Sequence, residues 1–344
     1  MKKVILPILV LVIVAAGILV FFALPMATQP KPEVVVYTSV DQVYAEPILK
    51  EYEKISGVSV KAVYDVEATK TTGLVTRLIS ERANPQADVF WNGEIMQTIL
   101  LKENEVLTPY TSPNSTGIPP LFKDPEGYWT GFGGRFRVII VNTNLLSPEH
   151  YPDSIDDFRE GTVPADQTGI AYPLFGTTAT HAAALYATLG NQAARDYFIA
   201  LRDRNVRVLD GNSVVRDQVA SGLLAYGLTD SDDACGAVMR GDPVDIVIPD
   251  QGPGERGTLV IPNTVALIRG GPNPGEGKKL IDYLLSPDTE TELLDIGWIQ
   301  MATRGNHPLR CVSTTSITPM NVSYPAIAAV QEEVKRDLAE IFIR

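Results

Sequence analysis

Val34-Val35-Val36-Tyr37-Thr38-Ser39 is an apolar, β-branched run that stops abruptly on two hydroxyl residues. The period then changes. From Gln42 to Ser56 the apolar Ala45, Ile48, Leu49 and Tyr52 recur on one helical face, and Gly57 ends the pattern. The same unit follows twice more. Residues 58–64 read as a strand, 65–72 as a polar loop and 73–82 as a helix with Leu74, Leu78 and Ile79 facing inward. Ala87-Asp88-Val89-Phe90-Trp91 is a third strand, ending in Asn92-Gly93-Glu94 before a helix over 95–103. Strands alternating with helices at this spacing make βαβ units and a parallel sheet, whose ligands bind beyond the carboxyl ends of the strands. Those ends carry Thr38 and Ser39, then Glu67, Thr69 and Lys70, then Asn92 and Glu94.

Beyond a surface loop dense in Pro, Ser, Asn and Gly over 108–128, Arg137-Val138-Ile139-Ile140-Val141-Asn142 resumes a strand and opens a second αβ series. Ile170-Ala171-Tyr172-Pro173 leads into Gly176-Thr177-Thr178-Ala179-Thr180-His181 and a small-residue helix over 182–189. Residues 206–209 lead into Gly211-Asn212-Ser213 and a helix over 214–221, and an apolar run at 224–228 ends in Thr229-Asp230-Ser231-Asp232-Asp233. Further strands are expected at 244–248 and 258–268 and amphipathic helices at 277–285 and 287–296. A turn-rich stretch at 306–325 and a terminal helix at 326–343 follow. Backbone N–H groups at helix starts, with Thr and Ser hydroxyls, form anion sites. One such loop alone is more commonly a plain helix cap. Five of them, divided between two αβ series, point to a cleft between two lobes.

The aspartate run has two readings. Three carboxylates within four positions repel one another unless solvent, a cation or helix-terminal N–H groups compensate them. The run is thus either a strand-to-helix turn capped by Asp or Ser, or a ligand site.

Composition narrows the function classes. A formal charge of −12 argues against a nucleic-acid partner, which would need a basic face. Lys2 and Lys3 precede an unbroken apolar run over 4–24 and a polar linker, so residues 1–32 read as an export signal or uncleaved membrane anchor, with the rest outside the cytoplasm. The remainder, about 310 residues, suffices for two lobes with separate cores. Export permits a disulfide between Cys235 and Cys311, the two cysteines, and two buried free thiols are an equal option. His150, His181 and His307 lack metal-ligand spacing, and neither a nucleophile elbow nor a P-loop occurs, so no catalytic residue is assigned.

Val36-Tyr37-Thr38-Ser39, Ala87-Asp88-Val89-Phe90-Trp91, Gly134-Arg135-Phe136-Arg137-Val138, Asn212-Ser213-Val214 and Gly227-Leu228 fall in an order that resembles periplasmic ferric-iron-binding proteins, substrate-binding components of ABC transporters. The likeness runs over about residues 33–305 and extends to binders of phosphonates and sugar phosphates. It implies a type II periplasmic-binding-protein fold: two α/β lobes, each a mostly parallel sheet flanked by helices, joined by two crossing strands. Lobe one would take 33–140 and 259–305, lobe two 141–258, and 306–344 would be an extension. The crossings would lie near 138–142 and 248–260. It also implies an ABC permease as partner, a monomeric state and closure on a small ligand, with ferric iron as the leading cargo and phosphate or carbonate as co-ligand.

Carried over by position, the family's iron-binding His falls on Asp41, its Glu on Gly93 or Glu94, of which Glu94 keeps the carboxylate, and its Tyr pair on Asp232 and Asp233; the anion contacts fall on Thr177, Thr178, Asn212 and Asp230. Four carboxylates replace a set with phenolates. Oxygen-only sets suit hard cations such as Fe(III), Ca(II), Mn(II) or Mg(II). They equally suit the ammonium of an organic ligand whose anionic end rests on Thr177, Thr178 and Ser213, as in 2-aminoethylphosphonate. Lys70 is either a solvated lysine or a contact, and Arg135 either a structural partner or a ligand group. Trp91 and Tyr37 read as core or rim packing. The competing functions are an anchored metal-assisted phosphoesterase and a ligand-sensing module for a membrane receptor.

Overall fold

The computed structural model describes residues 31–65, 73–305, 307–312 and 316–343. The apolar run at 4–24 and the loop residues Glu67, Thr69 and Lys70 lie outside the described residues. The first half consists of β1 (Glu33–Thr38), α1 (Gln42–Ser56), β2 (Ser59–Tyr64), α2 (Gly73–Ser80), β3 (Val89–Asn92), α3 (Met96–Glu103), β4 (Leu107–Thr108) and β5 (Thr130–Asn142). Then come α4 (Asp157–Glu160), β6 (Thr168–Ala171), α5 (Gly176–Leu189), α6 (Asn191–Asp203), β7 (Arg207–Leu209), α7 (Asn212–Ala220), β8 (Tyr226–Asp230), α8 (Ser231–Arg240) and β9 (Val244–Val247). The chain closes with β10 (Val260–Ile268), α9 (Pro274–Leu284), α10 (Pro287–Asp295) and α11 (Tyr324–Phe342).

The strands form a sheet in the order β2-β1-β3-β10-β5-β8-β6-β7, with β4 on β10 and β9 on β5. The expected parallel units are present: β1 runs parallel to β2 and β3, and β6 parallel to β7 and β8. Between these groups lie β10 and β5, antiparallel to each other and to their outer neighbours β3 and β8. Strand β5 serves both groups. Its first part, through Phe136, pairs with β10, and Arg137 onward pairs with β8 and β9. The expected strand began only at 137, because the Gly-rich residues before it have poor β propensity. Packing overrides that preference: Gly133 takes φ +54°, and a Cβ there would lie 2.4 Å from Ile299.

Two helix starts that bear on the cavity differ from the periodicity. Helix α5 begins at Gly176 rather than 182 and α7 at Asn212 rather than 214. Polar residues in a first turn leave no apolar stripe to read, and this is why Thr177, Thr178, Asn212 and Ser213 sit inside helices. Helix α8 starts at Ser231, so Asp232 and Asp233 occupy its first turn. Helix α5 is buried on every side from Thr177 to Tyr186, as expected of a helix packed on two faces. The terminal helix α11 packs on α5 and α6 and also touches α3.

Three further ties place the C-terminal segment. Cys235 and Cys311 form a disulfide, with Cα atoms 5.4 Å apart. The Tyr324 hydroxyl donates to the Val260 carbonyl at 2.9 Å, and Asp337 of α11 meets Tyr186 and Arg195. Among the described residues, no helix is long and apolar enough to cross a membrane.

Candidate functional site

Helices α5, α7 and α8 each begin just after a strand of the β6–β8 group. Their first turns bring Thr177, Asn212, Ser213, Asp232 and Asp233 onto one cavity of about 770 Å³, joined by Asp230 at the end of β8. From the rest of the chain the cavity receives Ser39 and Asp41 after β1, Glu94 after β3, Arg135 of β5 and Trp298.

Asp230 is the hub of a buried network. The side chain of Arg137 is completely enclosed, and its Nη1 donates to Asp230 Oδ1 at 2.6 Å and to Asn212 Oδ1 at 3.1 Å. The other Asp230 oxygen accepts from Thr177 Oγ1 at 2.5 Å and from Asn212 Nδ2 at 3.0 Å. One carboxylate thus fastens β5, α5 and α7 to β8. Arg137 Nε and Nη2 are buried without a protein partner among the described residues.

The next two aspartates are less fully engaged. Asp232 Oδ2 accepts from Arg135 Nη1 at 3.3 Å, while its Oδ1 is buried with no partner among the described residues. Asp233 Oδ1 accepts from Arg216 Nη1 at 3.0 Å. Carboxylate oxygens of Asp230, Asp232 and Asp233 lie within 4.8 Å of one another. Burial raises the pKa of Asp232, opposed by Arg135 and reinforced by the charge of Asp230. Asp233 is pushed up to about 7, first by burial and then by its two neighbouring carboxylates, against Arg216 and Arg135. For Arg135, burial disfavours the charge, but Asp232, Asp230, Asp233 and Glu94 outweigh it and hold the guanidinium charged.

Glu94 has a local use. Its two oxygens accept from the backbone N–H groups of Met96 and Gln97, each at 2.8 Å, capping α3. Burial raises its pKa and those N–H groups oppose the rise. Ser39 Oγ donates to Asn92 Oδ1 at 2.5 Å and accepts from Gly93 N at 3.0 Å. A Cβ on Gly93 would lie 3.0 Å from the Trp298 ring, so the absence of a side chain there lets the indole seat against the cavity. Trp298 Nε1 donates to Asn263 Oδ1 at 2.7 Å, and the Arg135 guanidinium lies 5.6 Å from its ring.

The structure gathers Ser39, Asp41, Glu94, Arg135, Thr177, Asn212, Ser213, Asp230, Asp232 and Asp233 around the cavity. Three expected contacts are instead buried away from its lining. Thr38 Oγ1 accepts from Val40 N, Asn92 Nδ2 donates to Thr98, and Thr178 Oγ1 donates to Asn212. Each is used to hold a loop or helix start. Trp91 and Tyr37 are core residues, both almost fully buried.

Four contributors had no sign in the sequence reading. Arg137 lay inside a quoted motif, but its pairing with Asp230 is set by the register of β5 on β8. Trp298 sits in a connection after α10. Gln331 and Lys335 of α11 also line the cavity; their four-residue spacing puts them on one helical face, yet nothing in a polar helix face says what it covers.

Residues 84–297 match the family of bacterial extracellular solute-binding proteins. The chain is 25% identical over 288 residues to a Salmonella typhimurium periplasmic protein provisionally named as 2-aminoethylphosphonate-binding, covering 83% of this chain and 78% of that one. It is 24% identical over 322 residues to the major ferric iron-binding protein of Neisseria meningitidis, covering 89% and 91% of the two chains. The ferric binding protein from Campylobacter jejuni superposes with a TM-score of 0.77 at 20% identity, over 90% of this chain and all of that one.

Proposed function

The chain belongs to the bacterial extracellular solute-binding proteins, exported components of ABC importers, and from that premise we propose that its cleft holds a cargo with a cationic centre at Asp232 and Asp233 and an anionic group at the starts of α5 and α7. The observation that carries this reading is the convergence of three carboxylates on one point, one with a buried oxygen that has no partner among the described residues. Hard cations satisfy such oxygen-only sets. Ferric iron with phosphate or carbonate is the leading cargo, with Asp41, Asp232 and Asp233 as ligands and Thr177, Asn212 and Ser213 near the anion. Glu94 would join the metal only through lone pairs not used in capping α3.

Lobes at 33–140 with 259–305 and at 141–258 would close on the cargo about β5 and the segment before β10, and the closed form would dock on an ABC permease. An uncleaved segment at 4–24 would hold the protein at the membrane. The role is binding, with no turnover required of any side chain.

A second reading is favoured by two observations: aspartates stand where a phenolate pair would announce iron, and the cavity of about 770 Å³ exceeds what a bare ion needs. Here the cargo is an aminoalkyl phosphonate, its ammonium on the aspartates and its phosphonate on the helix starts. Metal analysis of protein purified without chelators, followed by titration with Fe(III) plus phosphate and with 2-aminoethylphosphonate in metal-free buffer, tests both. Co-purifying iron and Fe(III) binding support the first. Tight binding of the phosphonate without metal replaces it with the second, and binding of neither removes the proposal.

A further inference from the structure

We infer that the C-terminal helix α11 is part of the binding site: Lys335, with Gln331 one turn before it, is the group that recognises the oxyanion end of the cargo. The inference rests on the solute-binding reading above and adds a wall to the site that lies outside the family match, which ends at 297.

Placement comes first. Helix α11 packs along α5, whose first turn carries Thr177, and it also touches α3, whose start carries Glu94. It therefore spans from one flank of the cleft to the other. Its apolar residues Val334, Leu338 and Ile341 are buried, fixing the helix on the body. Asp337, one turn from Glu333, is held by Tyr186 and Arg195, and Glu333 accepts from Asn191 Nδ2 at 2.9 Å. With both faces fixed this way, Gln331 and Lys335 come onto the same cavity as Thr180, Ser213 and the aspartates.

Charge assigns the role. The three aspartates of the β8–α8 cluster each face an arginine: Asp230 meets Arg137, Asp232 meets Arg135 and Asp233 meets Arg216. Among the described residues, two of those lining the cavity are cations, Arg135 and Lys335. Arg135 is already bound to Asp232. Lys335 pairs with Glu332 on its own helix at 2.8 Å, and Glu332 is 83% exposed. An exposed pair at this spacing contributes little to stability. Lys335 can therefore leave Glu332 for a phosphate, phosphonate or carboxylate oxygen at little cost, whereas Arg135 cannot leave Asp232 without uncovering a buried charge. Gln331 adds an amide that can donate to the same oxyanion.

The test compares wild type with Lys335→Gln, Lys335→Arg and Lys335→Glu, using 2-aminoethylphosphonate, and Fe(III) with and without inorganic phosphate, as probes at two salt concentrations. The expected result is a roughly tenfold or greater loss of affinity for the anion-bearing probe in Lys335→Gln, a larger loss in Lys335→Glu, recovery in Lys335→Arg and a weaker salt dependence in Lys335→Gln. The apo melting temperature should not move, since Lys335 is partly exposed and its ion pair with Glu332 lies on the surface. Unchanged affinity in Lys335→Gln, with wild type binding normally, overturns this inference alone. Loss in all three variants, the arginine included, also overturns it, because a merely structural role predicts that pattern. Wild type that binds neither probe overturns the solute-binding reading and this inference with it.

Discussion

Asp230, Asp232 and Asp233 are chemically alike and do different work, and the difference lies in their partners. Asp230 neutralises a fully buried arginine, so Asp230→Ala should cost about 3–5 kcal/mol in urea unfolding by leaving Arg137 uncompensated; a loss below about 1 kcal/mol would contradict the network. Asp233 behaves in the opposite sense. Its carboxyl is pushed up to about 7 in the folded, ligand-free protein, above the unfolded value near 3.9. The native state thus binds the proton more tightly than the unfolded state does, and this contribution to stability is complete below about pH 4 and lost as pH rises through about 7. Apo Asp233→Asn should accordingly show a shallower fall in stability than wild type between pH 4 and 7, measured by melting temperature across pH; parallel curves would refute the assignment. The sequence marked all three aspartates as one cluster. It could not divide them, because the arginines that do so arrive from β5 and α7 through strand register and helix packing.

At the scale of elements, the strand, loop and helix order was legible from apolar periodicity, since both halves of the sheet repeat one unit. The starts of the cavity-lining helices α5, α7 and α8 were not. Their first turns carry Thr, Asn, Ser and Asp, which lack an apolar stripe, and those turns are the ones that line the cavity. Glu94 shows the consequence: by position it reads as a metal ligand, and in the fold it caps α3. Glu94→Ala should lower stability by about 1–2 kcal/mol through loss of both N–H contacts, read by chemical denaturation; an unchanged midpoint would show that solvent replaces the cap without cost. Helix α11 was predicted as a helix within two residues of its observed start, yet its position over the cleft was not legible. A helix declares its buried face through Val334, Leu338 and Ile341, and keeps silent about its polar face.

At the scale of the molecule, the C-terminal segment turns from an appendage into a tie. The Cys235–Cys311 bridge joins α8, which carries Asp232 and Asp233, to the stretch after α10, across 76 positions of sequence. Closing a loop of that length in the unfolded chain is worth about 4 kcal/mol in the chain-entropy account. The Cys235→Ser, Cys311→Ser double variant should therefore unfold about 2–4 kcal/mol more easily while keeping its fold, by denaturant titration and circular dichroism; stability equal to wild type would mean the bridge constrains nothing. The same tie fixes the aspartate-bearing helix against the rest of the cleft, where closure on a cargo would be felt. The most direct measurement of the central claim is the melting temperature of metal-free wild type and of the Asp232→Ala, Asp233→Ala double variant against rising Fe(III)-phosphate and 2-aminoethylphosphonate. At a hundredfold excess over Kd, binding adds about 2.7 kcal/mol. Wild type should climb with one of the two ligands and the double variant should stay flat, and a flat wild type or an equal climb in both proteins would contradict the account.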